Sequence, residues 1–183
     1  MEVWEDIKAD AERGAKRLVS EFWDRLFGAS LVLCRDEQLA EDLVLRTFAQ
    51  VVAKIDQFDS SQPFWNWLYA ILLNYFRADL RKMKAEVGEG ADCRDDAAEA
   101  ADGDAMAQRL TELDAAVVRR AVSRLAPTLR EAVMLRYFED KTLQEMAWLM
   151  KVPVGTVKSR LHLARRELKK SLGRAFKEEE KAK

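Results

Sequence analysis

The chain of 183 residues is poor in the side chains that most chemistry needs. It holds two cysteines, Cys34 and Cys93, and a single histidine, His162. That set cannot supply the four ligands of a structural zinc site. A Ser-His-Asp or Cys-His constellation has almost nothing to draw on. Sparse cysteine also fits a reducing cytoplasm better than a secreted disulfide scaffold. Seven glycines and three prolines argue against collagen-like, barrel-rich or fully disordered chains. No apolar run approaches the roughly 20 residues of a membrane span, so no membrane insertion is expected. The opening, MEVWEDIKAD, is acidic and lacks the pattern of a signal peptide. No catalytic residue, metal ligand or cofactor is expected, and the chain reads as a cytoplasmic non-enzyme.

What is abundant points to helices. Hydrophobic residues make up 49% and charged residues 34%, with Ala, Leu, Glu, Arg and Lys prominent. The net charge of −1 hides a strong polarity along the chain. Residues 1–83 carry 11 basic and 14 acidic side chains, 84–114 carry 3 and 10, and 115–183 carry 17 and 8. The last segment is therefore +9 and the middle one −7. A basic terminal domain suits a polyanion, with nucleic acid the default partner.

The hydrophobic pattern divides the chain in three. From Leu18 to Met83 apolar residues recur at helical spacing. Leu18, Phe22 and Leu26 form one stripe; Ala40, Leu43, Val44, Thr47, Phe48, Val51 and Ile55 form another; Phe64 to Phe76 form a third. Breaks are expected near Gly28, at Arg35–Asp36 and over Asp56–Pro63, with Pro63 at a helix start. The segment 84–109 has three glycines, many acids and few large apolar residues, and reads as a flexible acidic linker. Its charge suggests an association with the basic terminal domain through Asp92, Asp95, Asp96, Glu99 and Asp102. Helical spacing resumes near Leu110. The predicted fold is all-α: a three- or four-helix bundle over 1–83, the linker, and a four-helix domain over 110–183.

The most specific local signal lies in that last domain. Thr142-Leu143-Gln144-Glu145 has the spacing of a capping box. A short helix, Leu143 to Met150, is followed by a break at Lys151-Val152-Pro153 and a long basic helix from Val154 to about Phe176. These are the parts of a helix-turn-helix. Val157, Leu161, Ala164 and Leu168 share one side of the long helix. At 100° per residue Lys158, Ser159, His162, Arg166 and Lys169 point the other way, with Arg160 and Arg165 on the flanks. Thr156 stands in the first turn, which would face base edges in a major groove. Trp148 is expected on the buried side of the short helix.

Two runs carry a family resemblance. The segment RLAPTLREAVMLRYFEDKTLQEMAWLMKVPVGTVKSRLHLARREL, with Val154-Gly155-Thr156-Val157-Lys158-Ser159-Arg160-Leu161-His162 at its centre, resembles the second conserved domain of extracytoplasmic-function (ECF) sigma factors, members of the sigma-70 family. Ala40-Glu41-Asp42-Leu43-Val44, Phe48, Phe58-Asp59 and Trp67-Leu68-Tyr69, then Asn74, Asp79 and Arg81, resemble the first. The resemblance implies a promoter-specific initiation factor whose partners are core RNA polymerase (β′ clamp helices and β flap), promoter DNA and an anti-sigma factor. It implies polymerase docking through Asp42, Leu45, Arg46 and Phe48. Single-stranded −10 contacts would come from Trp65, Asn74, Asp79, Arg81 and Lys82, with Trp65 the better stacking candidate and Trp67 core. Duplex −35 contacts would come from Thr156, Lys158, Ser159, Arg160, His162, Arg165 and Arg166. The chain departs from the family wording at Leu45 and Arg46, where Gln and Glu are usual. Arg46 is therefore expected to reverse a charge on the docking face. Basic residues are also missing at Trp65, Ala70 and Leu73, and an Arg at Leu163. A sigma-like DNA-binding regulator or interaction protein with weakened polymerase docking is the alternative reading.

Overall fold

The computed structural model describes residues 2–87 and 115–181, which fall into two compact units divided between Ala91 and Asp92. All regular elements among the described residues are helical. The acidic linker and Cys93, with the association proposed for them, lie outside the described residues, apart from the first residues of the linker.

Among the described residues the first unit has four helices: α1 (Val3–Ala9), α2 (Ala11–Cys34), α3 (Glu37–Ala53) and α4 (Phe64–Val87), with a 3₁₀ turn at Ile55–Gln57. Short acidic caps start two of them. The Asp10 carboxylate accepts from the amides of Glu12 and Arg13 at 3.0 and 3.1 Å, and Asp36 accepts from Leu39 at 2.9 Å. The turn between α2 and α3 is made by Arg35 in the left-handed region, φ 63°. Leu18, Leu26 and Leu33 of α2, Leu43, Val44 and Val51 of α3, and Leu68, Leu72 and Phe76 of α4 close the core.

Two expectations change here. No break occurs at Gly28; α2 runs on to Cys34. A glycine inside a helix costs about 1 kcal/mol, and the burial of Leu26, Ala29, Val32 and Leu33 on either side of it outweighs that. The helix α1 was not foreseen. It crosses α2 so closely that a Cβ on Gly14 would stand 2.4 Å from the Cα and N of Ile7. Asp6 then reaches across from α1 to ion-pair with Arg13 at 3.0 Å and with Arg17.

The second unit holds α5 (Ala115–Ser123), α6 (Pro127–Val133) extended by a wider π turn (Met134–Phe138), α7 (Leu143–Met150) and α8 (Val154–Lys181). Pro127 stands in the first turn of α6, where its missing N–H costs nothing. Buried Arg130 donates through Nη2 to the Leu125 carbonyl at 3.0 Å, tying α6 to the end of α5. Its core is aliphatic: Val122, Leu125, Leu129, Val133, Leu135, Met146, Val157, Leu161, Ala164 and Leu168.

Candidate nucleic-acid and polymerase interface

Local chemistry builds the helix-turn-helix. The Thr142 hydroxyl accepts from the Glu145 amide at 3.3 Å, while the Glu145 carboxylate accepts from the Thr142 amide at 2.8 Å and from its hydroxyl at 2.7 Å. These hydrogen bonds hold the Glu145 carboxyl below its ordinary range. Lys151 ends α7 in the left-handed region, φ 54°, a conformation that turns the chain sharply into α8. The turn before α7 is fastened by Arg136, which donates to the Lys141 carbonyl at 3.0 Å.

The two faces of α8 separate cleanly. Val157, Leu161, Ala164 and Leu168 are buried, and Lys158, Arg166 and Lys169 are exposed. Thr156, Arg160, His162 and Arg165 are half-buried. Arg165 folds back, its Nε donating to the Leu161 carbonyl at 3.2 Å.

Ser159 is a correction. It is not an outward contact: it is buried, and its hydroxyl donates to the Gly155 carbonyl at 3.0 Å. A side chain this short turns back on its own helix, where its longer neighbours reach solvent. Trp148 is the opposite correction. It is 75% exposed. Met146, Leu149 and Met150 set the buried arc of α7, and position 148 lies 200° from two of them.

In the first unit an aromatic cluster fixes the start of α4. Phe58 meets Phe64 edge-on at 5.2 Å and Trp67 at 5.3 Å, and Phe22 meets Phe64 at 5.6 Å. Trp67 is thus part of the packing. Trp65 is engaged as well: Phe22 stacks with it at 6.0 Å, and the Arg25 guanidinium lies 3.8 Å over its ring. The face expected to receive a base is therefore shared with side chains of α2.

Further along α4, Asn74, Arg81 and Lys82 are exposed. Arg77, three residues after Asn74 and four before Arg81, shares the arc of those two, a spacing legible in the sequence although it belongs to no motif. Asp79 lies elsewhere. It faces α3, where Arg46 grips it with Nη1–Oδ1 at 3.2 Å and Nη2–Oδ2 at 2.5 Å.

The docking candidates on α3 also divide. Leu45 is 51% exposed and Asp42 is exposed. Phe48 is a correction: it is 5% exposed and packs on Trp23 with centroids 6.3 Å apart, so it supports α3 from within. Arg46 does not present a bare reversed charge. Its Nε lies 2.8 Å from Asp42 Oδ2 while the same guanidinium holds Asp79. Hydrogen bonding to Asp79 above all raises its pKa from an already high value. α2 also leaves Val19 and Leu31 exposed, each 40%, with half-buried Trp23 and Phe27 at the same four-residue spacing between them. Among the described residues no His, Cys, Asp or Glu group could hold a metal ion, and no helix is long and apolar enough to cross a membrane.

One helical unit with a charged α4 and a second unit bearing a helix-turn-helix define a two-module protein whose surfaces suit nucleic acid. Comparison with known proteins gives the class its particular form. The family model for sigma-70 region 2 matches residues 18–86, and that for sigma-70, region 4 matches residues 115–168. The RNA polymerase sigma-H factor of Pseudomonas aeruginosa is 29% identical over 177 residues, covering 88% of this chain and 89% of its own length. The ECF RNA polymerase sigma factor EcfG of Rhodopseudomonas palustris is 32% identical over 129 residues, covering 70% and 68%. Among solved structures, the sigma factor RpoE of Bartonella quintana, crystallised with the anti-sigma factor NepR, aligns with a TM-score of 0.63 at 26% identity over 86% of this chain and 96% of that one. The chain belongs to the ECF type of the sigma-70 family, and it is an RNA polymerase sigma factor for promoter-specific transcription initiation.

Proposed function

We propose that the two units divide promoter recognition between them. The first docks on core polymerase through α3, with Asp42 and Leu45 outermost, and receives the non-template strand of the −10 element along Asn74, Arg81 and Lys82 of α4. The second reads the −35 element as duplex by laying the first turns of α8 in the major groove. Lys158 and Arg166 supply the main phosphate or base-edge contacts, with Thr156, Arg160, His162 and Arg165 closer to the helix surface. The factor works in the cytoplasm and has no catalytic centre of its own. An anti-sigma factor, of the kind found with the Bartonella relative, would compete for these same faces.

The observation that carries this reading is the division of α8. A buried apolar stripe fixes the helix to its unit, and the opposite face presents exposed Lys158, Arg166 and Lys169. Such a helix suits a polyanionic groove. Run-off transcription with purified core polymerase and a genomic promoter library tests the whole; failure to start at defined sites would overturn it. For the helix, Lys158→Ala and Arg166→Ala should each weaken duplex binding and flatten the dependence of log K on log salt by about 0.9, with the fold intact. An unchanged slope would remove that residue from the interface.

The exposed apolar Leu45 and the internally paired Arg46 favour a second reading, weakened polymerase docking with DNA binding retained. A pull-down with core polymerase separates them. Retention at moderate salt supports the first reading, and loss with duplex binding intact supports the second.

A further inference from the structure

We propose that Arg46 sets the strength of polymerase docking by neutralising Asp42 from inside the chain. The inference rests on the reading of α3 as the docking helix, and it assigns Arg46 a role other than contact with the partner.

Asp42 and Arg46 lie one turn apart on α3. The Asp42 side chain is 59% exposed, yet its Oδ2 is 2.8 Å from Arg46 Nε. The far edge of the same guanidinium is fixed on α4 by the two hydrogen bonds to Asp79. The plane also lies 5.3 Å from the centre of the Tyr75 ring, and the Tyr75 hydroxyl donates to Gln50 Oε1 at 3.1 Å. Arg46 is thus held by α4 while it leans on Asp42. A side chain anchored at one end loses little further entropy in pairing at the other, so Arg46 stays beside Asp42 and compensates its charge by proximity, although its Nε makes no hydrogen bond there.

Two consequences follow from this arrangement. The three charges sum to −1, but the negative charge left over is shared with Asp79, away from the outermost part of α3. A cationic side chain arriving on the docking face therefore meets a carboxylate that already has a partner, and it must displace Arg46 to gain the full interaction. Displacement is opposed by the bidentate grip of Asp79. Replacing Arg46 by a neutral residue would leave a bare carboxylate at the same place. Arg46 is thus a positioning and affinity-setting residue. The charge on this face is compensated rather than reversed.

The test uses the full chain and purified core polymerase, with affinity measured by fluorescence anisotropy at low and high salt. Removing Arg46 alone would strand Asp79, so the comparison is Asp79→Asn against the double variant Arg46→Gln/Asp79→Asn. The double variant should bind about fivefold tighter at low salt, the scale of one favourable ion pair, and the gain should shrink at high salt. Adding Asp42→Asn should abolish the gain. Unchanged or weaker binding by the double variant, with its melting temperature and helical signal kept, overturns the proposal. A gain that survives Asp42→Asn overturns it too. Leu45→Glu checks the underlying reading separately. If that variant binds polymerase as the wild type does, α3 is not the docking helix, and the failure lies with the reading.

Discussion

The two units are both small helical bundles, but they are held by different means. In the first, aromatic rings from separate helices interlock: Trp4 meets Phe58 at 5.8 Å, Phe22 meets Phe64, and Trp23 meets Phe48. Ion pairs also cross between helices, Asp6 to Arg13 and Arg17, and Arg46 to Asp79. In the second the core is aliphatic, and among the described residues no aromatic ring is buried: Trp148 is 75% exposed, Phe138 41%, and Tyr137 is half-buried. Its order is written locally, in Pro127, the Thr142 capping box and the turn at Lys151. One unit depends on partners far apart in sequence. The other joins its apolar stripes with caps and turn ties made between neighbours within five residues. That difference suits the tasks proposed for them, because a helix that is to enter a groove must present a charged face without help from partners on that side.

The largest effect should come from the stripe that anchors this helix. Leu161→Ala removes a side chain that is 4% exposed and should destabilise the second unit by about 2–5 kcal/mol, while the aromatic signal of the first unit holds its own transition. A single merged transition in calorimetry would break the division. Next in size, Thr142→Ala takes away the cap and should cost about 1 kcal/mol. Thr142→Ser should restore most of it, and no loss in chemical denaturation would mean that α7 is held by packing alone.

The smallest effect sharpens the contrast by pH. Hydrogen bonding from Arg17, with the nearby charge of Arg13, holds the Asp6 carboxyl below its usual 3.8. Its folded-state value is depressed, so its contribution is complete above the unfolded-state value and fades as pH falls through the folded-state one. Acid titration should loosen α1 only below about pH 3.8, reported by the fluorescence of Trp4 against Phe58. The Asp6→Asn variant should lack that step. A Trp4 signal that is flat through this range in the wild type would show that packing around Gly14 and Ile7 alone holds α1.

Legibility followed the same divide. The α7 helix begins and ends where the capping box and the break place it, at Leu143 and Met150, because those signals act over three or four residues. The buried stripe of α8 was equally readable, since one period of 3.6 fixes which residues share a side. Ser159 and Trp148 escaped it. Ser159, expected to point outward, is buried, and its short hydroxyl donates to the Gly155 carbonyl. Trp148 is apolar yet out of phase with the buried arc of α7, and phase prevails. The first unit was read less well. Nothing near Gly28 says that both flanks are buried, and nothing near Gly14 says that another helix crosses there.

Among the candidate residues, composition and residue order set which chemistry was at hand: a basic last domain, an acidic middle, and helices phased to bury one side. They could do so because charge totals and helical phase depend only on residue order. Tertiary structure alone decided how those residues are used. Asp79, Arg46 and Asp42 are separated by up to 37 positions in the chain, yet they form one ion-paired group on two helices. Ion pairing depends on distance in space, so only the packing of α3 against α4 could turn an apparent reversal of charge into its cancellation.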